Sequence, residues 1–103
     1  MVIVEPENTP QFEQQLQQAG NRAVFVDFYA DWCGPCKAIA PTYQELSNLY
    51  SHAVFLKVNV DELDEVAQKY GVTAMPTFMS FHNSQKKGEQ TGMDYYYLWY
   101  LPQ

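Results

Sequence analysis

The stretch VFVDFYADWCGPCKAIAPTY, residues 24–43, determines how this sequence is interpreted. It contains both cysteines of the chain, Cys33 and Cys36, and the acidic Asp27 lies six residues before the first of them. A strand covered on both faces of a sheet usually reads as a continuous apolar run, so an acid within VFVDF is unexpected. Two questions follow: what chemistry the cysteines perform, and why an acid lies in this strand.

The cysteine pair allows three interpretations. A zinc site usually needs four Cys or His ligands, and the histidines of the chain, His52 and His82, lack zinc-finger spacing to the pair. A purely structural disulfide would close only a very short loop and would restrict the unfolded chain little. A C-x-x-C sequence at a strand–helix junction of a βαβ protein is typical of a dithiol/disulfide redox pair. The sequence therefore favours redox chemistry over a metal site.

The position of the pair supports that chemistry. Cys33 opens the helix that follows the strand, where free backbone N–H groups and the helix dipole favour an anion such as a thiolate. Cys36 lies about one turn further in, and we expect it to be more buried and close enough to attack the sulfur of Cys33. Gly34 allows the backbone of a substrate to approach, and Pro35 suits the first helical turn.

Turn signals divide the chain into alternating strand-like and helix-like segments. Strands are predicted at residues 2–4, 23–30, 54–60 and 77–82, with a weak strand at 87–91, and helices at 8–20, 33–50 and 61–71. Pro41 is expected to kink or interrupt the second helix. This order predicts an α/β sandwich around a mixed sheet, in which the first three strands are mainly parallel and the last two form an antiparallel hairpin.

Composition excludes several classes of partner. The 103 residues suffice for one domain with its own core, and the formal charge of −6 argues against a nucleic acid or an anionic membrane as the main partner. There is no apolar run of transmembrane length, and the start MVIVEPENTP lacks the features of a signal peptide. We therefore expect a cytosolic protein.

The motifs resemble those of the thioredoxin family. WCGPC at 32–36 is preceded by VDFYAD and followed by KAIAP, and further matches are LKVNVDE at 56–62 and YGVTAMPTF at 70–78. The resemblance extends over about residues 2–92. It implies the thioredoxin fold, a mixed sheet with helices on both faces, and a reversible Cys33–Cys36 disulfide.

The resemblance also assigns a role to the buried acid. Asp27 would be a general acid/base with a raised pKa that takes the proton of Cys36, whereas the alternative is a structural acid satisfied by hydrogen bonds. Lys57, in a neighbouring apolar strand, would be the partner of Asp27. The alternative for Lys57 is an ordinary surface lysine, because residues of a strand alternate between its faces.

Other matching positions imply a surface for substrates. In the family, the proline at the position of Pro76 follows a cis peptide bond and lies against the cysteines, and with Met75 it offers backbone on which an extended peptide can pair. Trp32 would shield the site and offer apolar contact, and Gly92 would line the substrate groove. Ala74 stands where some animal thioredoxins have an additional cysteine.

The activity implied by the resemblance is protein-disulfide reduction without a bound cofactor or metal. Electrons would come from NADPH through a flavin-containing thioredoxin reductase, and the other partners would be proteins with disulfides. Two alternatives stay open: an oxidase or isomerase of an oxidising compartment, and a binding or regulatory module that uses the same fold with weakened redox activity.

The last quarter of the sequence departs from the family pattern. Ser84 stands where thioredoxins usually have glycine, and SQKKGEQT is nearly all polar around Gly88, so a weak edge strand is expected. Residues 93–103, MDYYYLWYLPQ, form a shorter and nearly uncharged aromatic segment. We expect one domain over residues 1–103, a short final helix, lower stability than that of related proteins, and a monomer, although the aromatic segment could also form a dimer contact.

Overall fold

The computed structural model describes residues 3–92. Along the chain lie α1 (Thr9–Gln18), β1 (Val24–Tyr29), α2 (Gly34–Leu49), β2 (Val54–Asn59), α3 (Asp64–Lys69), β3 (Thr77–His82) and β4 (Gln85–Thr91). The four strands form one sheet in the order β2-β1-β3-β4. β1 pairs with β2 in parallel and with β3 antiparallel, and β3 pairs antiparallel with β4. The predicted mixed sheet and its antiparallel hairpin are confirmed.

Of the strand predicted at residues 2–4, residue 2 lies outside the described residues, and the other two contribute only a bridge. Val4 makes a single parallel bridge with Leu56 of β2. Its N–H donates to the carbonyl of Phe55 at 2.9 Å, and its carbonyl accepts from the N–H of Lys57 at 3.0 Å. This bridge fixes the neighbouring Glu5 beside the carboxyl end of β2.

Helix α1 lies within the predicted range 8–20 and is shorter, with Asn8 as its cap and its last residue at Gln18. The side chain of Asn8 caps the helix by accepting from the N–H of Gln11 at 2.9 Å, and Pro10 lies in the first turn, where its missing N–H costs no helical hydrogen bond. Gly20 follows the helix with φ of +60°, in the left-handed region that glycine tolerates best. Phe12 and Leu16 form the buried face.

The sheet separates two apolar clusters. On the face covered by α1 and α3, the cluster consists of Phe12, Leu16, Ala19, Val24, Val26, Phe28, Leu56, Val58, Leu63, Val66, Met79 and Phe81. On the face covered by α2, it consists of Phe25, Ile39, Tyr43, Leu46, Ala53, Phe55 and Phe78. Because β1 alternates between these faces and both are covered, five of its six residues are fully buried.

Helix α2 is attached to the sheet by Tyr43. Its hydroxyl lies 3.0 Å from the carbonyl oxygen of Phe25 in β1 and 2.7 Å from that of Leu56 in β2. The helix runs from Gly34 to Leu49 without interruption, although it contains Pro41. Pro41 was expected to kink or interrupt this helix. The interruption does not occur, because only one N–H is lost and the burial of the surrounding face outweighs that loss, and the kink stays a prediction.

Strand β4 begins two residues before the predicted weak strand and reaches Thr91. Its residues are exposed or half-buried, so backbone pairing with β3 holds it in place rather than side-chain burial. The hairpin turn places Asn83 and Ser84 at φ of 51° and 63°. Gly88 lies opposite Ser80, next to a register shift in the ladder.

Predictions for residues 93–103 lie outside the described residues, and these include the final helix and the dimer contact. Within residues 3–92, no helix has the length and apolar character needed to cross a membrane.

Candidate redox site

Cys33 and Cys36 form a disulfide at the start of α2, with their Cα atoms 5.3 Å apart. Cys33 is the N-cap residue of the helix and has an extended backbone, and its N–H donates to the carbonyl of Ala30 at 3.2 Å. The N–H of Cys36 donates to Sγ of Cys33 at 3.1 Å. The sulfur of Cys33 therefore receives a helix N-terminal amide, the arrangement that stabilises a thiolate.

The two cysteines are equally buried. Their exposed fractions are 4% for Cys33 and 5% for Cys36, so the expectation that Cys36 would be the more buried of the two was wrong. Both pack with Ala30, and the half-buried Met75 contacts this cluster. Gly34 and Pro35, which lie between the cysteines, are exposed to solvent.

Asp27 is 1% exposed and lies on the sheet face that α2 covers. Within residues 3–92, neither of its carboxyl oxygens has a hydrogen-bond partner. Burial raises the pKa of Asp27 from 3.8 to about 7; the charge of Lys57 works against this rise and the charge of Glu5 adds to it. The acid can therefore gain or lose a proton near neutral pH.

Lys57 is the cross-strand neighbour of Asp27 in the parallel β1–β2 pair. Its ammonium nitrogen lies 4.4 Å from the centre of the Tyr29 ring, and among residues 3–92 it forms no ion pair. The predicted partner of Asp27 is thus adjacent to it and interacts through its charge. It rests on an aromatic ring rather than on the carboxylate.

Tyr29, whose ring contacts Lys57, also forms a hydrogen bond with Glu5. Its hydroxyl donates to Oε1 of Glu5 at 2.8 Å. Burial, together with this hydrogen bond and the negative charge of Glu5, raises the pKa of Tyr29 above its usual value. The phenol stays protonated and keeps donating to Glu5.

Two small cavities meet at Lys57. One, of about 110 Å³, is lined by Tyr29, Ala30, Asp31, Cys36, Lys37, Ala40 and Lys57. The other, of about 260 Å³, is lined by Glu5, Pro6, Glu7, Lys57, Asn59 and Glu62. Lys57 therefore separates a space that reaches Cys36 from an acidic space that opens beside the N-terminal segment.

Pro76 and Gly92 lie together near the cysteine cluster. The Met75–Pro76 peptide bond is cis, the isomer implied by the resemblance, and Pro76 is buried. The N–H of Gly92 donates to the carbonyl of Pro76 at 2.8 Å. Gly92 has φ of +94°, which a residue with a side chain adopts only with strain. The end of β4 is thus bonded directly to the loop that contacts the cysteines.

Trp32 is exposed, with 69% of its surface accessible, and its indole N–H donates to Oδ2 of Asp61 at 3.0 Å. One edge of the ring is anchored while its apolar surface faces solvent next to the disulfide. Asp61 is held in turn, since its N–H donates to Oδ1 of Asn59 at 2.9 Å. No group of three or more Cys, His, Asp or Glu residues within 3–92 is arranged to hold a metal ion.

Sequence reasoning missed three residues of this site: Glu5, Tyr29 and Asp61. Tyr29 could have been found, because it lies two residues after Asp27 and so shares its face of β1. Asp61 follows β2 at the same sheet edge as the cysteines, which is also a usable signal. Glu5 has no such sequence signal, because its position in the site depends on the bridge that Val4 makes with β2.

Comparisons with known proteins agree on one family. The thioredoxin family model matches residues 3–96. Thioredoxin-1 of Schizosaccharomyces pombe is 53% identical over 72 residues, which are 70% of each chain. Thioredoxin of Homo sapiens is 44% identical over 91 residues, covering 88% of this chain and 87% of that one. The X-ray structure of Fasciola hepatica thioredoxin superposes with a TM-score of 0.93 at 34% identity, covering 95% of this chain and 94% of that one.

Proposed function

This chain belongs to the thioredoxin family of disulfide oxidoreductases, and on that premise we propose that it reduces disulfide bonds in other proteins. Its mixed four-stranded sheet with flanking helices is the thioredoxin fold. The observation that carries the proposal is the Cys33–Cys36 disulfide at the N-terminus of α2, with the amide of Cys36 on Sγ of Cys33. A thiolate at that sulfur has the nucleophilicity that disulfide exchange requires.

In the first step of the proposed reaction, the thiolate of Cys33 attacks one sulfur of a substrate disulfide. The substrate S–S bond breaks, a mixed disulfide with Cys33 forms, and the released substrate sulfur takes a proton from solvent. The exposed Trp32, the backbone of Met75 and the approach over Gly34 and Pro35 would position the substrate chain.

In the second step, Cys36 resolves the mixed disulfide. Asp27 in its carboxylate form accepts the proton of the Cys36 thiol, and the resulting thiolate attacks Sγ of Cys33. The mixed disulfide breaks, the second substrate sulfur leaves as a thiolate, and the Cys33–Cys36 disulfide forms. Two electrons have passed from the protein to its substrate. Support for Asp27 comes from its pKa of about 7 and its place on the face covered by α2.

Renewal of the dithiol needs an external reductant. We propose thioredoxin reductase as this partner, supplying electrons from NADPH through its own flavin, so that the domain itself needs no bound cofactor. The proposed setting is the cytosol, where disulfides are transient, and the proposed working form is a single domain acting as a monomer.

Two cysteine variants test the assignment of roles. Cys36→Ser should accumulate mixed disulfides with its substrates, because the nucleophile remains while the resolving thiol is gone. Cys33→Ser should trap nothing and should reduce insulin no faster than dithiothreitol does alone. Non-reducing electrophoresis and insulin turbidity measure the two effects. Full insulin reduction by Cys33→Ser would show that the roles are wrongly assigned.

A coupled assay tests the proposed partner and the main rival function. With NADPH and a purified thioredoxin reductase, the wild-type chain should oxidise NADPH in the presence of insulin, and the Cys33→Ser variant should not. A binding or regulatory module would instead leave NADPH unused. A reduction potential of the Cys33–Cys36 disulfide near that of oxidising isomerases would indicate the remaining alternative, an oxidase or isomerase of an oxidising compartment.

A further inference from the structure

We propose that Tyr29 is a positioning residue for the redox reaction, because its ring holds the Lys57 ammonium beside Asp27. This inference rests on the proposed function in one respect only: it matters for turnover if Asp27 is the base that serves Cys36. The arrangement of Tyr29, Lys57 and Asp27 can be tested independently of that role.

The register of the parallel strands brings Tyr29, Lys57 and Asp27 together. Asp27 and Tyr29 lie two residues apart on β1 and so project from the same face. Lys57 of β2 pairs with Asp27 in the ladder. Its ammonium nitrogen reaches the Tyr29 ring at 4.4 Å from the ring centre, the range of a cation–π contact. Tyr29 thus holds the charge that lies next to the buried acid.

The Tyr29 ring is itself held in place by a hydrogen bond. The Tyr29 hydroxyl donates to Glu5 at 2.8 Å, and Glu5 follows Val4, whose two backbone hydrogen bonds tie it to β2. A ring held through its hydroxyl presents a defined face. Lys57 therefore rests on a surface fixed by both β1 and the N-terminal segment.

Without the Tyr29 ring, negative charges on the other side would attract Lys57. The larger of the two cavities that it lines carries the carboxylates of Glu5, Glu7 and Glu62. These charges attract the ammonium away from Asp27, and Glu5 also acts on Asp27 through its own charge. The Tyr29 ring opposes this attraction and keeps the ammonium close to the buried acid.

The charges around Asp27 set the direction of the expected effect. Within residues 3–92, two charged groups act on Asp27, Lys57 on β2 and Glu5 on the N-terminal segment. Helix α2 adds the titratable Tyr43, which is neutral, and Cys36, which titrates only in the reduced protein. Among them, Lys57 alone favours the ionised acid. Moving Lys57 away should therefore raise the pKa of Asp27 and reduce the carboxylate available at a given pH.

The test is a ¹³C NMR titration of the Asp27 carboxyl carbon in the oxidised full-length protein, where the cysteines do not titrate. Tyr29→Leu should raise the midpoint by about half a pH unit, because the ring that holds Lys57 is lost. Tyr29→Phe, which keeps the ring, should restore most of the wild-type value. Lys57→Met should raise the midpoint at least as much as Tyr29→Leu does.

A double variant decides whether Tyr29 acts through Lys57. In the Lys57→Met background, adding Tyr29→Leu should produce no further shift, because there is no ammonium left to position. An Asp27 midpoint unchanged by Tyr29→Leu would overturn the inference. So would a shift of equal size with and without Lys57, since that would mean that the ring acts on Asp27 directly.

A separate measurement keeps this inference distinct from the proposed function. The rate of mixed-disulfide resolution should rise with pH as Asp27 ionises. This rise should disappear in Asp27→Asn and should occur at higher pH in Tyr29→Leu. If Asp27→Asn kept the wild-type profile, the base assignment would be wrong, while the NMR titration would still decide the role of Tyr29.

Discussion

At the scale of single residues, Asp27 links the stability of the protein to pH. Its pKa is raised from 3.8 to about 7 by burial, so the folded chain keeps a proton that the unfolded chain loses above about pH 4. Ionisation of the buried acid then works against folding. The destabilising effect of this ionisation is absent below the pKa that Asp27 has in the unfolded chain. It grows as pH rises and is complete above the pKa that Asp27 has in the folded protein.

We expect Asp27→Asn to become progressively more stable than the wild type between about pH 4 and pH 7. The difference should level off above pH 7 after a total change of about 4 kcal/mol. Urea unfolding of both oxidised proteins across this range measures it. The matched control is Asp31→Asn, which makes the same chemical change at an exposed side chain. A difference that stays constant from pH 4 to 8 would contradict the prediction.

At the scale of elements, the β3–β4 hairpin carries a local backbone cost. Asn83 and Ser84 both have positive φ, at 51° and 63°. Asparagine tolerates this region well, whereas serine does so less readily. The favoured residue at the second position of such a two-residue turn is glycine.

Ser84→Gly should therefore raise the free energy of unfolding by about 1 kcal/mol, because glycine adopts the left-handed region without a steric penalty. Ser84→Ala is the control: it removes the hydroxyl but keeps the Cβ, and it should bring no gain. Chemical denaturation with both variants measures the effect. Equal stability of the glycine and alanine variants would show that the backbone of this turn costs nothing.

The elements also show how far the sequence could predict the structure. Helix α1 and strand β1 follow from caps and apolar runs, which are local signals. The sequence pattern predicts strand β4 from residue 87, two residues late, because its pairing with β3 depends on backbone bonds that side-chain patterns do not encode. The site likewise contains residues that the local sequence predicts and contacts that depend on strand pairing. The cysteines and Asp27 are visible in one stretch, whereas the contact of Lys57 with Tyr29 depends on the register of two strands.

At the scale of the whole molecule, the sheet separates most of the stabilising packing from the chemistry. The cluster under α1 and α3 contains Phe12, which is 0% exposed and packs against the rings of Tyr70 and Phe81 at 6.0 and 6.3 Å. The disulfide and Asp27 belong to the α2 side. Damage to the first cluster should therefore lower stability without rearranging the site.

Phe12→Ala should lower the free energy of unfolding by about 3 to 5 kcal/mol through lost burial and a residual cavity. Under conditions where the variant stays folded, its rate of insulin reduction should remain within about twofold of the wild-type rate. Urea unfolding and the insulin assay measure the two properties. Leu49→Ala, at a side chain 63% exposed, is the control and should change stability little. A large loss of activity in folded Phe12→Ala would refute the separation of the two sides.

The hydroxyl of Tyr43 gives the molecule an optical reporter of its own assembly. One proton lies between carbonyls of two different strands, and burial raises the pKa of this phenol well above its ordinary value. Burial disfavours its phenolate while α2 covers the sheet, so we expect ionisation to accompany the separation of α2 from β1 and β2. The chain has eight tyrosines, so the part of the alkaline tyrosinate absorbance that Tyr43→Phe removes records when that helix leaves the sheet, without any added dye.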